Sequence, residues 1–222
     1  MWCIQEITPE YRKRMYGLLD LYQEPYDPRK PVIGVDEKPK QLVEDSRPQI
    51  PMQPGKTEKH DYEYVRNGKA NIFMAVQPKH GKRISKVTRR RTNIDFAQFM
   101  KELILFYPYA EKLRIVLDNL STHTQKAFYD TFDKEEAKKI LSKIEFHYTP
   151  KHASWLNVAE IEIGVMDNEC TDRRMKNISY LKSEVQAWTK RRNKERCKID
   201  WRFTKENADE KLSKHYIFNK QV

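Results

Sequence analysis

Two aspartates stand where short apolar runs stop. Asp36 closes VIGVD and Asp118 closes RIVLD, and each run has the length and branched composition of a buried strand. In α/β proteins reactive groups collect where strands end at one edge of a sheet, so the pair suggests a metal site. Either Asp taken alone could simply terminate a strand or cap a turn. A third carboxylate is available in HYTPKHASWLNVAEIEIGVM, where a strand, a proline-containing turn and a helix bring Glu160 or Glu162 toward the same edge.

These groups need a sheet to hold them. VIGVDE, ANIFMAV and RISKVT read as three successive strands of an antiparallel meander, with SRPQIPMQPGKTEKHDYEYVRNG between the first two as a long excursion that ends in a hairpin at Asn67-Gly68. NIDFAQFMKELILFY places Phe96, Phe99, Met100, Leu103 and Phe106 at helical spacing, with Asp95 in the first turn, and all five are assigned to the core. KLRIVLDN is a buried strand, residues 124–132 and 135–143 are helical pieces, and IEFHYT is a further strand. A helix is expected from about Ser154 to Cys170 and an amphipathic one from about Ser179 to Lys194. The order is βββαβαβα, flanked by a short N-terminal helix at Pro9 to Tyr22 and a C-terminal one in WRFTKENADEKLSKHY. On a helical wheel started at Trp155, Glu160 falls at about 140° on the polar edge and Glu162 at about 340° inside the apolar arc.

Composition narrows the partners. The 222 residues carry 43 Lys and Arg against 32 Asp and Glu, a net charge of +11, which favours a polyanion. Three scattered cysteines, Cys3, Cys170 and Cys197, are too few for a disulfide scaffold or a zinc cluster and fit a reducing compartment. No apolar run is long enough to cross a membrane, and the start lacks the apolar stretch of a signal peptide.

DEKP at 36–39, LDNLSTH at 117–123 and YTPKHASWLNVAE at 148–160 resemble the catalytic motifs of IS630 family transposases, which are related to the Tc1/mariner superfamily. The likeness extends to MWCIQEI and YDPRKPV near the start and DWRFTKENADEKL near the end. It implies an RNase H-like fold, a mixed five-stranded sheet flanked by helices, and makes Asp36, Asp118 and Glu160 the catalytic, metal-binding DDE triad, with Glu160 at the end of LNVAE. Oxygen ligands of this kind suit Mg²⁺ or Mn²⁺, and two such ions serve in-line displacement at phosphorus. The step from Asp118 to Glu160 is longer than in Tc1-like relatives, with the extra length in FDKEEAKKILSK.

The resemblance further implies DNA cleavage and strand transfer, double-stranded DNA as partner (transposon ends and a TA-containing target), a homodimer in the synaptic complex, and a cytoplasmic, nucleoid-associated place in a bacterium. An RNase H-like nuclease without strand transfer and a non-catalytic DNA-binding remnant are the alternatives. Asn119, His123, His152, Asn157 and Glu162 are expected to support the carboxylates or touch DNA, with Asn119 alternatively a helix cap and His123 alternatively a solvent-exposed imidazole. Arg89, Arg90, Arg91 and Lys151 are candidates for the DNA backbone, and TKRRNKERCK at 189–198 for the same groove or a solvated face. His147 and Trp155, Trp188 and Trp201 read as packed residues. The domain layout expected is a helix and linker over 1–31, a catalytic domain over 32–200 with residues 45–69 as an insertion that clamps a partner subunit, and a helical tail over 201–222. Relatives carry a helix-turn-helix module ahead of this domain; MWCIQEI looks like the end of the linker that follows it, so little sequence-specific recognition is expected here.

Overall fold

The computed structural model describes residues 6–59, 61–120 and 122–217. Cys3, most of MWCIQEI and the end of the C-terminal tail lie outside them. The sheet contains β1 (Val32–Asp45), β2 (Tyr64–Gln77), β3 (Lys82–Thr88), β4 (Leu113–Leu117) and β5 (Ile144–Tyr148) in the order β3-β2-β1-β4-β5. β1, β2 and β3 pair antiparallel, whereas β4 runs parallel to β1 and to β5. This is the mixed, RNase H-like sheet that the strand order predicts.

Strand alternation sorts the two faces. Ile33, Val35, Phe73, Ala75, Ile115 and Leu117 point to one side, against α2 (Asn93–Leu105), α3 (Lys126–Thr131) and α4 (Lys134–Ser142). There Phe96, Phe99, Met100 and Leu103 are fully buried, and a capping box between Thr92 and Asp95 fixes where α2 starts. Phe106, expected in this core, is instead the residue that ends α2 and is half exposed. The opposite face covers Val76 and Val116 with α1 (Pro9–Gln23), α5 (Val158–Met166) and α7 (Lys205–Leu212). Further along it, Ile72 and Met74 meet Ile163 and Met166 of α5 and Leu181, Val185 and Trp188 of α6 (Ile178–Glu195).

Three departures from the sequence reading have physical causes. First, β1 and β2 are much longer than their apolar runs, and pairing continues to Asp45↔Tyr64. Asn67-Gly68 is therefore no hairpin turn. It lies inside β2 where the register slips between Gln41 and Val43, and Gly68 supplies the left-handed backbone (φ +90°) of a bulge. A turn and a bulge ask the same thing of Asn-Gly, so only cross-strand pairing separates them.

Second, the helix expected over 154–170 is broken. A 3₁₀ turn at Ser154–Leu156 precedes α5, and a π turn at Asp167–Thr171 follows it. The break comes at Asn157, whose side chain caps α5 by accepting from the Ala159 N–H. Third, the N-terminal segment does more than connect: Met15, Leu18, Leu19, Leu21 and Tyr22 of α1 are buried beneath α5 and the Trp201 region. Trp201 packs on Tyr22 in a tilted arrangement with ring centroids 4.7 Å apart. Trp155, read as packed, is 39% exposed and meets Phe203 edge-on.

Candidate active site

The parallel ladder between β1 and β4 runs Val32↔Arg114, Ile33↔Ile115 and Gly34↔Val116. Continued by two residues, the register sets Asp36 beside Asp118. Both share strand parity with Val116, so both lie on the face that α5 crosses. Pairing ends at Gly34↔Val116, just short of the carboxylates, and leaves that edge open.

Three contacts bring α5 down onto this edge. A Cβ on Gly34 would stand 2.5 Å from Val158 Cγ1 and 2.9 Å from the Ala159 nitrogen, so only glycine admits the start of α5 here. Asn157, fully buried, donates from Nδ2 to the carbonyl of Val35 (2.8 Å), the residue before Asp36. Tyr22 Oη donates to the Leu156 carbonyl (2.8 Å) and accepts from the Val158 N–H (3.3 Å), bridging the break before α5. Glu160 follows in the first turn of α5, half-buried, where the helix dipole favours a carboxylate.

Electrostatics marks Asp36. Burial, joined by the charges of Glu37, Asp118 and Glu160, raises its carboxyl to about 7 despite the hydrogen bond that Oδ1 accepts from the Glu37 N–H at 2.8 Å. Asp118 behaves in the opposite way. Burial pushes it up too, but a hydrogen bond and charge from His123, the Leu120 N–H and the Arg91 charge outweigh that and hold it below the usual range. Among the described residues no three His, Cys, Asp or Glu side chains are drawn tightly enough to form a ready metal cluster. The carboxylates share one edge and feel one another's charge without closing on a centre.

His123 is neither exposed nor at a DNA-facing surface. Its ring is 1% exposed, lies 4.6 Å from the ring of Phe96, and sits between Asp118 Oδ1 (2.7 Å from Nδ1) and Glu37 Oε2 (3.0 Å from Nε2). Two carboxylates flanking the ring favour its doubly protonated form. Burial alone would lower its pKa, but Asp118 and Glu37 lift it to about 9. The Glu37 contact is an ion pair whose alignment falls outside hydrogen-bond geometry. Arg91 approaches the other oxygen of Glu37 at 3.5 Å.

Glu162 is wholly enclosed. It receives Arg83 Nε and Nη2 at 2.6 and 2.8 Å and Arg192 Nε at 3.2 Å, and Arg83 is itself buried. This removes Glu162 from DNA and from the carboxylate edge. Of the basic residues expected on a solvated or DNA-facing helix, Arg192 is turned inward to Glu162, whereas Arg191 stays exposed and pairs with Glu169 at 3.2 Å on the surface. Asn119 caps no helix, since α3 begins at Lys126; its Nδ2 donates to the Thr149 carbonyl and ties the end of β4 to the end of β5.

Lys151 and His152 form an exposed turn after β5, with His152 in left-handed backbone (φ 62°), and line a groove with Thr8, Tyr11 and Arg14 of the N-terminal segment. Arg89 and Arg90 are exposed in another groove beside Lys69 and the β2 bulge. His147 is half-buried and pairs with Glu145 at 2.9 Å. Residues that the sequence reading passed over carry much of the site: Gly34, Glu37, Tyr22 and Arg83. A glycine inside an apolar strand was a signal for Gly34, and the second acid of DEKP for Glu37; nothing local marks Tyr22 or Arg83.

A mixed five-stranded sheet with aspartates on adjoining strands and a glutamate on the helix across them defines an RNase H-like domain with an acidic edge. The chain belongs to the DDE superfamily endonucleases, whose family model matches residues 31–182. Among solved structures, the Mos1 mariner paired end complex with Mn is similar at 14% identity and a TM-score of 0.56, over 89% of this chain and 60% of that one. The Mos1 strand transfer complex matches at 12% identity and a TM-score of 0.39, over 89% and 65%. The chain thus spans about three fifths of the Mos1 chain in the first of these, and the likeness is one of fold. No curated protein matches the sequence. No helix among the described residues is long and apolar enough to cross a membrane.

Proposed function

We propose that this chain is the catalytic part of an IS630-type DDE transposase, which cuts DNA and joins the resulting 3′ ends to a TA-containing target. The observation that carries the proposal is the placement of Asp36 and Asp118 side by side on the face crossed by α5, with Glu160 in the first turn of that helix.

The residues fit a divalent cation. Burial, with the charges of Glu37, Asp118 and Glu160 added to it, raises the Asp36 carboxyl to about 7, and a cation among the carboxylates would offset both the lost hydration and the repulsion. Asp36, Asp118 and Glu160 would hold two Mg²⁺ or Mn²⁺ ions. Bound there, the ions supply an activated attacking oxygen and charge stabilisation for the leaving oxygen at phosphorus. The chain's own contribution is placement: Asn157 and Gly34 set the helix that carries Glu160 against the strand that carries Asp36. Arg89, Arg90 and Lys151 are exposed and available to DNA phosphates.

The catalytic unit spans about residues 32–200, and the arm between β1 and β2, within 45–69, reaches a second copy in the DNA-bound dimer. Arg174 supports the arm as a defined element: it pairs with Asp45 and donates to the carbonyls of Asp61 (2.6 Å) and Glu63 (3.1 Å). Tyr62, Met52 and Ile50 are exposed along it.

The test supplies a duplex with a pre-cut 3′ end and a TA-containing target, with Mg²⁺ or Mn²⁺. Joined products that disappear in Asp36→Asn, Asp118→Asn and Glu160→Gln are expected. Metal-dependent cutting without joining would turn the reading to an RNase H-like nuclease, and DNA binding without either reaction to a non-catalytic remnant.

A further inference from the structure

Asp118 is held differently from Asp36. Its Oδ1 accepts twice, from the Leu120 N–H at 3.1 Å and from His123 Nδ1 at 2.7 Å, whereas its Oδ2 has no hydrogen-bond partner among the described residues. The His123 ring that fills Oδ1 is immobilised from several directions. Phe96 lies against it at 4.6 Å, the His123 N–H donates to the Leu120 carbonyl at 2.9 Å, and Tyr148 Oη donates to the His123 carbonyl at 2.8 Å. Glu37 takes the far nitrogen.

Glu37 reaches this ring from the wrong side of the sheet for a metal ligand. It alternates with Asp36 on β1 and shares parity with Ile33 and Val35, which face α2. Its side chain is only 3% exposed. A carboxylate buried next to a reactive one would ordinarily be a cost, and here its partners are His123 and, at longer range, Arg91.

We propose that Glu37 and His123 are positioning residues, a buried carboxylate–imidazole brace that occupies Oδ1 of Asp118 and leaves Oδ2 as the oxygen offered to the cation. The brace passes from the α2 side of the sheet to the acidic edge, so the core around Phe96 sets the orientation of Asp118. Histidines that bind metals are commonly oriented by a carboxylate behind them; here the order is carboxylate, imidazole, carboxylate, with the ligand at the end. The inference rests on the reading of Asp118 as a metal ligand.

Two substitutions at His123 separate its nitrogens. Asparagine places an amide nitrogen near the position of Nδ1 and keeps the donor to Asp118; glutamine reaches toward Glu37 and loses that donor. Mn²⁺ titrations of the full chain, followed by electron paramagnetic resonance and paired with thermal unfolding, would compare wild type, His123→Asn, His123→Gln, Glu37→Gln, Glu37→Ala and Asp118→Asn. His123→Gln and Glu37→Ala are expected to weaken Mn²⁺ binding by about 10- to 100-fold, with His123→Asn and Glu37→Gln recovering part of the loss. Folded His123→Gln with wild-type affinity, or glutamine rescuing as well as asparagine, would overturn the brace while Asp118→Asn still abolished binding. Equal binding by Asp118→Asn and wild type would instead overturn the metal-site reading beneath it.

Discussion

Glu160 and Glu162 are two residues apart on α5 and have opposite surroundings. Glu162 is fully buried, forked by Arg83 and touched by Arg192, so the protein supplies its countercharge in full. Glu160 is half-buried at the acidic edge, has no ion pair or side-chain hydrogen bond among the described residues, and adds its charge to those around Asp36. A carboxylate already neutralised by two guanidinium groups has little to offer a cation, whereas one set among other carboxylates lacks only the cation. The same side chain is fully countercharged in one place and without a countercharge in the other because of what the fold sets opposite it.

The sharpest way to break the comparison is to neutralise each glutamate in turn. Glu160→Gln should reduce metal-dependent strand cleavage below detection with little change in unfolding temperature. Glu162→Ala should cost about 3–5 kcal/mol of stability in denaturant unfolding, because Arg83 is left buried and unpaired. If Glu162→Gln abolished cleavage in a well-folded protein while Glu160→Gln did not, the assignment would reverse.

A smaller effect is expected where α5 meets β1. Gly34→Ala forces a Cβ to within 2.5 Å of Val158 Cγ1 and should cost about 1–3 kcal/mol, with a larger fractional loss of cleavage because Glu160 moves relative to Asp36. Asn157→Ala removes the cap of α5 and its tie to Val35 and should cost about 1–2 kcal/mol. Unfolding curves with parallel cleavage assays check both. Losses in stability with undiminished cleavage would show that the seating of α5 does not set the site.

The effect smallest per step is a pH slope. With Asp36 raised from 3.8 to about 7, the folded, metal-free protein keeps a proton that the unfolded chain has already released. Stability should therefore fall as pH rises from about 4 to about 7, by no more than about 1.4 kcal/mol per pH unit, and Asp36→Asn should lose that component. His123 acts in the next window: raised from 6.5 to about 9, it contributes fully below 6.5 and loses that contribution as pH rises through 9. Saturating Mn²⁺ should flatten the Asp36 slope by holding the carboxylate ionised. A slope of the same size in Asp36→Asn would assign it to other groups.

What the sequence determined by itself is local. The apolar runs before Asp36 and Asp118, Asp95 in the first turn of α2 and the helical spacing around Glu160 depend on neighbours within a few residues and are found in the fold, whereas the expected end of the first strand at Asp36 is not, since β1 continues to Asp45 through its pairing with β2. The wheel that set Glu162 in an apolar arc was right about burial and silent about Arg83, which lies 79 residues earlier in the chain. His123 shows the same limit: spacing cannot say that a ring five residues past Asp118 folds back under it and meets Glu37 from another strand. The bulge at Gly68, the seating of α1 and the closeness of α5 to Gly34 are decided by pairing register and by which faces must be covered. Those are properties of the assembled sheet. Short-range signals specify where an apolar run gives way to a carboxylate, and only tertiary packing decides which carboxylates meet a guanidinium and which meet one another.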